Sequence, residues 1–349
     1  MSAGEWKSGG REEVAEETVT AMLSRSLEAS VRISARPGAK ETSIRDQLIF
    51  PLGDNDGILA EKWDWECKQS NGAASRNERL IGVDEASIPE EFKLYTGARQ
   101  SPVAIDSTVA LPWMFPPLQL HHHWDKKASI KLTNTGHSVE MSFVADDGCC
   151  PSSAMPYLIG GPLAAEYEFV QMHFHWGNEN HVGCEHIIDN KKYAMEAHLV
   201  HYNRSYGSVA EAFKHPDGLA VIGIFLQVGE SENEGLSMLS SRVKDVCDEK
   251  GKCALVNPCD AAPLFWVKGV VEAHFAKSAT GRGGYYTYLG SLTTPKYDEN
   301  VTWIVFPEPS PISKRQIEEF RQLMSPAGRV KENFRPCQPI ADRNIFIAD

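Results

Sequence analysis

"FVQMHFHWG", residues 169–177, sets His173 and His175 two apart in an apolar, aromatic run. Along a β-strand the side chains i and i+2 share a face, so Phe169, Gln171, His173 and His175 are expected to point one way and Val170, Met172 and Phe174 the other. Two imidazoles then converge on one side of a strand that otherwise reads as buried. A second strand pattern, "KYAMEAHLVHYN" at 192–203, carries Glu196, His198 and Val200 on one face by the same parity and could bring a third imidazole. Three neutral ring nitrogens, with no carboxylate or thiolate among them, suit Zn2+ with an open fourth position. Ligating histidines usually donate their other N–H to an outer partner, and Gln171 and Glu196 each stand two residues before a candidate ligand.

Outward from this pair, the pattern is of short strands and turns. "SIKLTNTGHSVEMSFV" reads as a hairpin, "YEFVQMHFHW" as a strand and "LAVIGIFLQV" as a strand buried on both faces. "SKRQIEEFRQLM" is the clearest helix. "HHHW", with His121, His122 and His123, reads as an exposed loop, because adjacent side chains alternate faces and the stretch sits beside prolines and lysines. The mix predicts a mainly β (α+β) domain, a sheet with small helices at its edges, and no internal repeat is visible.

Composition restricts the function classes. The 349 residues are 42% hydrophobic and carry a formal net charge of -12, which argues against nucleic acid as a partner, since phosphate binding needs clustered Lys and Arg. No apolar run is long enough for a membrane span, and "MSAGEWKSGGREEVAEE" lacks the apolar core of a secretory signal. Residues 1–58 are charged and rich in Ser and Gly, without sustained periodicity, and read as a disordered or targeting extension. The Ser- and Arg-rich "MLSRSLEASVRISARPGAK" within it faintly suggests a transit segment. The chain holds 8 cysteines, with no CxxC, so free thiols are expected.

The blocks "ARQSPVAID" (98–106), "NTGHSVEMSF" (134–143), "GGPLAAEYEFVQMHFHWG" (160–177), "GCEH" (183–186), "KKYAMEAHLVHYN" (191–203), "HPDGLAVIGIFLQVG" (215–229), "YTYLGSLTTPKYDENVTWIV" (286–305) and "NFRPCQP" (333–339) run in an order that resembles the α-class carbonic anhydrases. The resemblance implies a single catalytic domain over 59–349, built on a large, twisted, mostly antiparallel sheet. It implies Zn2+ on His173, His175 and His198, with Gln171 and Glu196 orienting the ligands. The reaction implied is reversible hydration of carbon dioxide to bicarbonate and a proton, by attack of zinc-bound hydroxide. That water's pKa falls to about 7, a value for which carbonic anhydrases are themselves the standard example.

The same resemblance assigns further roles. Thr293 in "SLTTP" matches the threonine that accepts a hydrogen bond from the nucleophile and donates to a buried glutamate, here Glu185. Val200, Leu219, Val221, Leu292 and Trp303 match the apolar substrate pocket, and Thr294 the bicarbonate contact. His137 matches the proton shuttle, acting through water. By themselves Thr293 reads as a turn residue, Glu185 as a surface acid and His137 as a solvated hairpin histidine.

Three departures stand out. "WDW" ends in Trp65 where the family usually has a tyrosine, and Glu140 replaces what is often a neutral amide. Neither "LYTGA" nor "PKYDEN" holds the cysteine of a disulfide found in many secreted members. That favours a cytoplasmic setting, or an organellar one reached through the N-terminal extension. The expected partner is carbon dioxide or bicarbonate. A non-catalytic relative used as a binding domain is the alternative, although such relatives typically lose a zinc histidine. A purely structural zinc would prefer four protein ligands, usually with cysteine.

Overall fold

The computed structural model describes residues 97–124, 128–144, 155–256, 262–277 and 284–348. The expectations for residues 1–58, for Trp65, for most of "LYTGA" and for Cys67, Cys149, Cys150 and Cys259 concern residues outside that set. Cys184, Cys247, Cys253 and Cys337 are described, and all are free thiols.

Twelve strands make one large mixed sheet. In chain order they are β1 (Leu111–Trp113), β2 (Gln119–His121), β3 (Ile130–Asn134), β4 (Val139–Phe143), β5 (Tyr157–Ile159), β6 (Tyr167–Trp176), β7 (Met195–Asn203), β8 (Leu219–Gly229), β9 (Cys253–Val256), β10 (Tyr286–Gly290), β11 (Val301–Ser313) and β12 (Phe346–Ala348). The order across the sheet is β9-β3-β4-β6-β7-β8-β11-β10-β12-β1, with β2 on β5 and β5 on β6. Neighbours run antiparallel except β8 with β11 and β12 with β1. The sheet is thus mostly antiparallel, as expected from the sequence.

Helices α1 (Glu234–Ser240), α2 (Phe265–Lys277) and α3 (Lys314–Phe320) lie among the connections. Ser313 and Gln316 close α3 at its N-terminus as a capping box, each side chain satisfying the other's backbone N–H.

The two faces of the sheet bury separate apolar clusters. One contains Met172, Phe174, Trp176, Leu199, Ala220, Ile222, Ile224, Ile304 and Phe306. The other contains Val200, Leu219, Val221, Phe225, Tyr288 and Trp303. The continuous run "LAVIGIFL" follows from this: β8 lies between β7 and β11, and its successive side chains enter alternate clusters.

Two readings need correction. Phe169 does not share the face of His173; it belongs to the cluster of Met172 and Phe174, because the register of β6 against β7 shifts between Phe169 and Gln171. Such a shift inserts a residue and inverts the alternation on one side of it. Nor is "HHHW" an exposed loop. His121 ends β2, stacked on Tyr157 with ring centroids 4.5 Å apart. His123 is buried with its Nε2 3.0 Å from Nε2 of His201.

Candidate metal centre

β6 and β7 are paired so that His173 and His198 lie directly opposite one another, and His175 lies opposite Glu196. The bulge before Gln171 puts the stretch from Gln171 onward in phase with the face of β7 that carries His198 and Val200. The three rings then meet at steep angles, edge to face for His173 with each of the other two and tilted for His175 with His198, with centroids 5.0 Å apart for His173 and His175, 5.3 Å for His173 and His198, and 4.6 Å for His175 and His198. One nitrogen from each lies within 4.8 Å of the others.

Each ring has its remaining nitrogen engaged elsewhere. His173 Nδ1 donates to Gln171 Oε1 at 2.9 Å, His175 Nδ1 to the Asn333 carbonyl at 3.0 Å, and His198 Nε2 to Glu196 Oε1 at 2.9 Å. A neutral imidazole has one N–H, so these bonds leave a lone pair on His173 Nε2, His175 Nε2 and His198 Nδ1. His175 Nε2 is buried and without a hydrogen-bond partner. A buried acceptor left alone is costly, and a metal ion is the natural occupant of a point where three such lone pairs converge. Burial pushes all three imidazoles below their ordinary pKa, His175 to about 4 and His173 with added pressure from its two neighbours. Rings held neutral are rings ready to ligate.

A second group, His186, Glu196 and His198, is equally close. Its atoms already bond one another: His186 Nδ1 stands 2.7 Å from Glu196 Oε1, and that oxygen also takes the His198 N–H. The other oxygen accepts the backbone N–H groups of Glu185 and His186, both at 2.8 Å. Burial opposes ionisation of Glu196, but His186 and these bonds outweigh it and hold the carboxyl below its ordinary range. Tyr288 continues the chain, its hydroxyl 2.7 Å from His186 Nε2 and 3.0 Å from Ser101 Oγ. The group is held by its own hydrogen bonds and braces His198 of the first.

Glu185 is buried beside the imidazoles, and burial pushes its carboxyl up to about 7. Its Oε1 accepts the Arg335 backbone N–H at 2.8 Å, while Oε2 is 3.8 Å from His198 Nδ1 and has no hydrogen-bond partner. Thr293 is buried next to it, and its hydroxyl favours the ionised carboxylate. Val200, Leu219, Val221 and Trp303 gather in the cluster on this face with Leu292 against it, and the Trp303 ring lies 4.7 Å from that of His198. Thr294 is exposed in the turn closed by its own carbonyl and the Tyr297 N–H.

His137 is exposed at the tip between β3 and β4, well placed to meet solvent. Glu140 sits directly across from His173, and burial pushes its carboxyl upward. Sequence reasoning assigned no role to His186, Tyr288, Ser101, Asn333 or Arg335. The contacts of Tyr288 with His186 and Ser101, of Asn333 with His175 and of Arg335 with Glu185 span more than a hundred residues and have no signature in local spacing.

A family model described as eukaryotic-type carbonic anhydrase matches residues 84–349. The chain is similar to carbonic anhydrase 7 of Mus musculus, 39% identical over 263 residues that cover 73% of this chain and 90% of that protein. It is similar to carbonic anhydrase 7 of Homo sapiens at 38% identity over 263 residues, with the same coverage.

Proposed function

The chain belongs to the eukaryotic-type carbonic anhydrase family, and from that premise we propose that it catalyses the reversible hydration of carbon dioxide to bicarbonate and a proton, using Zn2+ held by His173, His175 and His198. The observation that carries this reading is the set of three imidazoles, each with one nitrogen bonded outward and the other turned to a common point. When bound, Zn2+ supplies Lewis acidity that lowers the pKa of a water to about 7.

The protein's own groups do the rest. Gln171, Glu196 and the Asn333 carbonyl fix the tautomer and tilt of the three rings. Thr293 donates its hydroxyl hydrogen bond to Glu185, which leaves the threonine oxygen's lone pair to accept a hydrogen bond from the attacking oxygen and so aim that oxygen's own lone pair at the substrate carbon. Val200, Leu219, Val221, Leu292 and Trp303 exclude water from the adjacent space, which suits an uncharged, linear substrate. Thr294 contacts bicarbonate on the open side. His137 accepts the released proton through water and passes it to solvent.

We place the catalytic domain at 59–349, with 1–58 as an extension. The free thiols described above support a reducing, cytoplasmic setting. Among the described residues no helix is long and apolar enough to cross a membrane.

Stopped-flow measurement of carbon dioxide hydration on protein of known zinc content tests the proposal. Turnover well above the buffer rate is expected. Full zinc occupancy without turnover would overturn it and favour a binding domain.

A further inference from the structure

The hairpin that carries His137 is only briefly paired to the strand that carries the metal candidates. The register of β4 on β6 consists of Glu140 opposite His173 and Met141 opposite Met172. Beyond Glu140, toward the hairpin tip, side chains take over from the backbone ladder. Ser138 Oγ donates to the Phe174 carbonyl at 2.6 Å and accepts the Phe174 N–H at 3.1 Å. Ser138 is buried, although it adjoins the exposed His137. From the other side comes Asn333. Its Nδ2 donates to the His137 carbonyl at 2.7 Å and to the Phe174 carbonyl at 3.0 Å, and its Oδ1 accepts the Trp176 N–H at 2.7 Å. The backbone carbonyl of the same residue takes the His175 N–H.

We propose that Ser138 and the Asn333 side chain form a latch that fixes the hairpin bearing His137 against the stretch of β6 bearing His175, making both of them positioning residues for proton transfer. The inference deepens the functional reading above and rests on it. Phe174, between the two histidines of "HFH", has both backbone groups engaged by the latch, so the hairpin is referenced directly to the metal-ligand strand. Proton transfer through water depends steeply on where donor and acceptor sit. A surface hairpin tied only by its own turn would leave His137 to wander, because exposed turns open at little free-energy cost. Thr135 holds the turn internally, its Oγ1 accepting the Ser138 N–H at 2.9 Å, but that bond does not anchor the turn to β6.

Ser138→Ala removes both serine bonds without adding bulk. Asn333→Asp keeps an acceptor for Trp176 and loses both donors. Each should speed amide exchange at His137 and Ser138 by about tenfold, the scale of one or two lost hydrogen bonds, while β6 and β7 amides away from Phe174 keep their protection. Exchange is read on the protein whether or not it turns over, so absence of hydration in the parent protein would sink the functional reading without touching this arm. With an active parent, Ser138→Ala should lower kcat severalfold in weak buffer with kcat/KM nearly kept, and imidazole should restore the loss. It should lower kcat little further when added to His137→Ala. Unchanged exchange at the hairpin, an equal fall in both kinetic constants, or losses that multiply with His137→Ala would each overturn the latch. Should neither variant fold, the Asn333 side-chain amide protons of the parent protein decide: slow exchange supports the latch and free exchange overturns it.

Discussion

Thr293 and Glu185 show how much a residue's meaning depends on its neighbours. A threonine in a turn is ordinary. Here the side chain is buried, faces a carboxylate that burial has raised to about 7, and leaves that carboxylate's Oε2 as an acceptor in need of a donor. Thr293→Ala removes the hydroxyl and little else, so it should keep zinc while slowing hydration by roughly one to two orders of magnitude, the scale of a lost positioning contact. Metal analysis beside stopped-flow kinetics checks this, and undiminished activity would dissolve the pair. His137 makes a complementary prediction. His137→Ala should lower kcat in weak buffer, leave kcat/KM nearly intact, and recover with added imidazole, because attack on carbon dioxide precedes export of the proton. Equal loss in both constants would remove His137 from the relay. His173 and His175 were legible in the sequence because strand parity brings them to one face, whereas His198 followed from a second strand pattern and from the family resemblance. The bonds of His186 to Tyr288 and of Asn333 to His175 were not, since these partners lie in distant segments and only the folded chain brings them together.

At the scale of the element, β8 carries a glycine whose purpose its strand pattern does not explain. Gly223 is opposite His198 in the register with β7, and a Cβ added there would stand 3.1 Å from Glu196 Oε1. That oxygen is the acceptor that orients His198. The strand therefore needs a glycine so that the carboxylate can lie against its backbone. Gly223→Ala should displace Glu196 by a few tenths of an ångström and weaken zinc affinity by about tenfold, the lower end for disturbed outer-shell contacts. Competition with a chelator of known affinity measures this, and unaltered affinity would mean that Glu196 has slack. The strands β3, β4, β6, β7 and β8 were all readable from alternation or from continuous apolar runs. The inverted face at Phe169 was not, because a bulge leaves no mark in a run where both faces are apolar. Helix α2 also escaped notice. Its sequence "FWVKGVVEAHFAK" includes three valines and a glycine, poor helix formers, and its apolar residues do not fall into a single stripe. Packing of Trp266, Val267 and Val271 into the core makes up for the weak propensity.

For the whole molecule, the buried histidines set the response to acid. Burial holds His123 well below the ordinary histidine range and His201 at about 3, so the folded protein keeps both neutral while the unfolded chain protonates them. The unfolded state thus binds more protons below about pH 6.5, and stability, complete above that point, falls as pH drops below it. In metal-free protein the three site imidazoles act in the same direction. Glu185, raised to about 7, opposes them, but as one group against several. The urea midpoint of metal-free protein should therefore be clearly lower at pH 5 than at pH 7.5, and a flat profile would contradict the neutral, buried state of these rings. Three histidines on two strands are proposed to hold the metal, with no fourth protein ligand among the described residues. Zinc content of the purified chain and of His198→Ala measures it most directly. About one zinc per chain is expected in the parent protein and loss of most of it in the variant; stoichiometric zinc retained by His198→Ala would contradict the three-histidine centre.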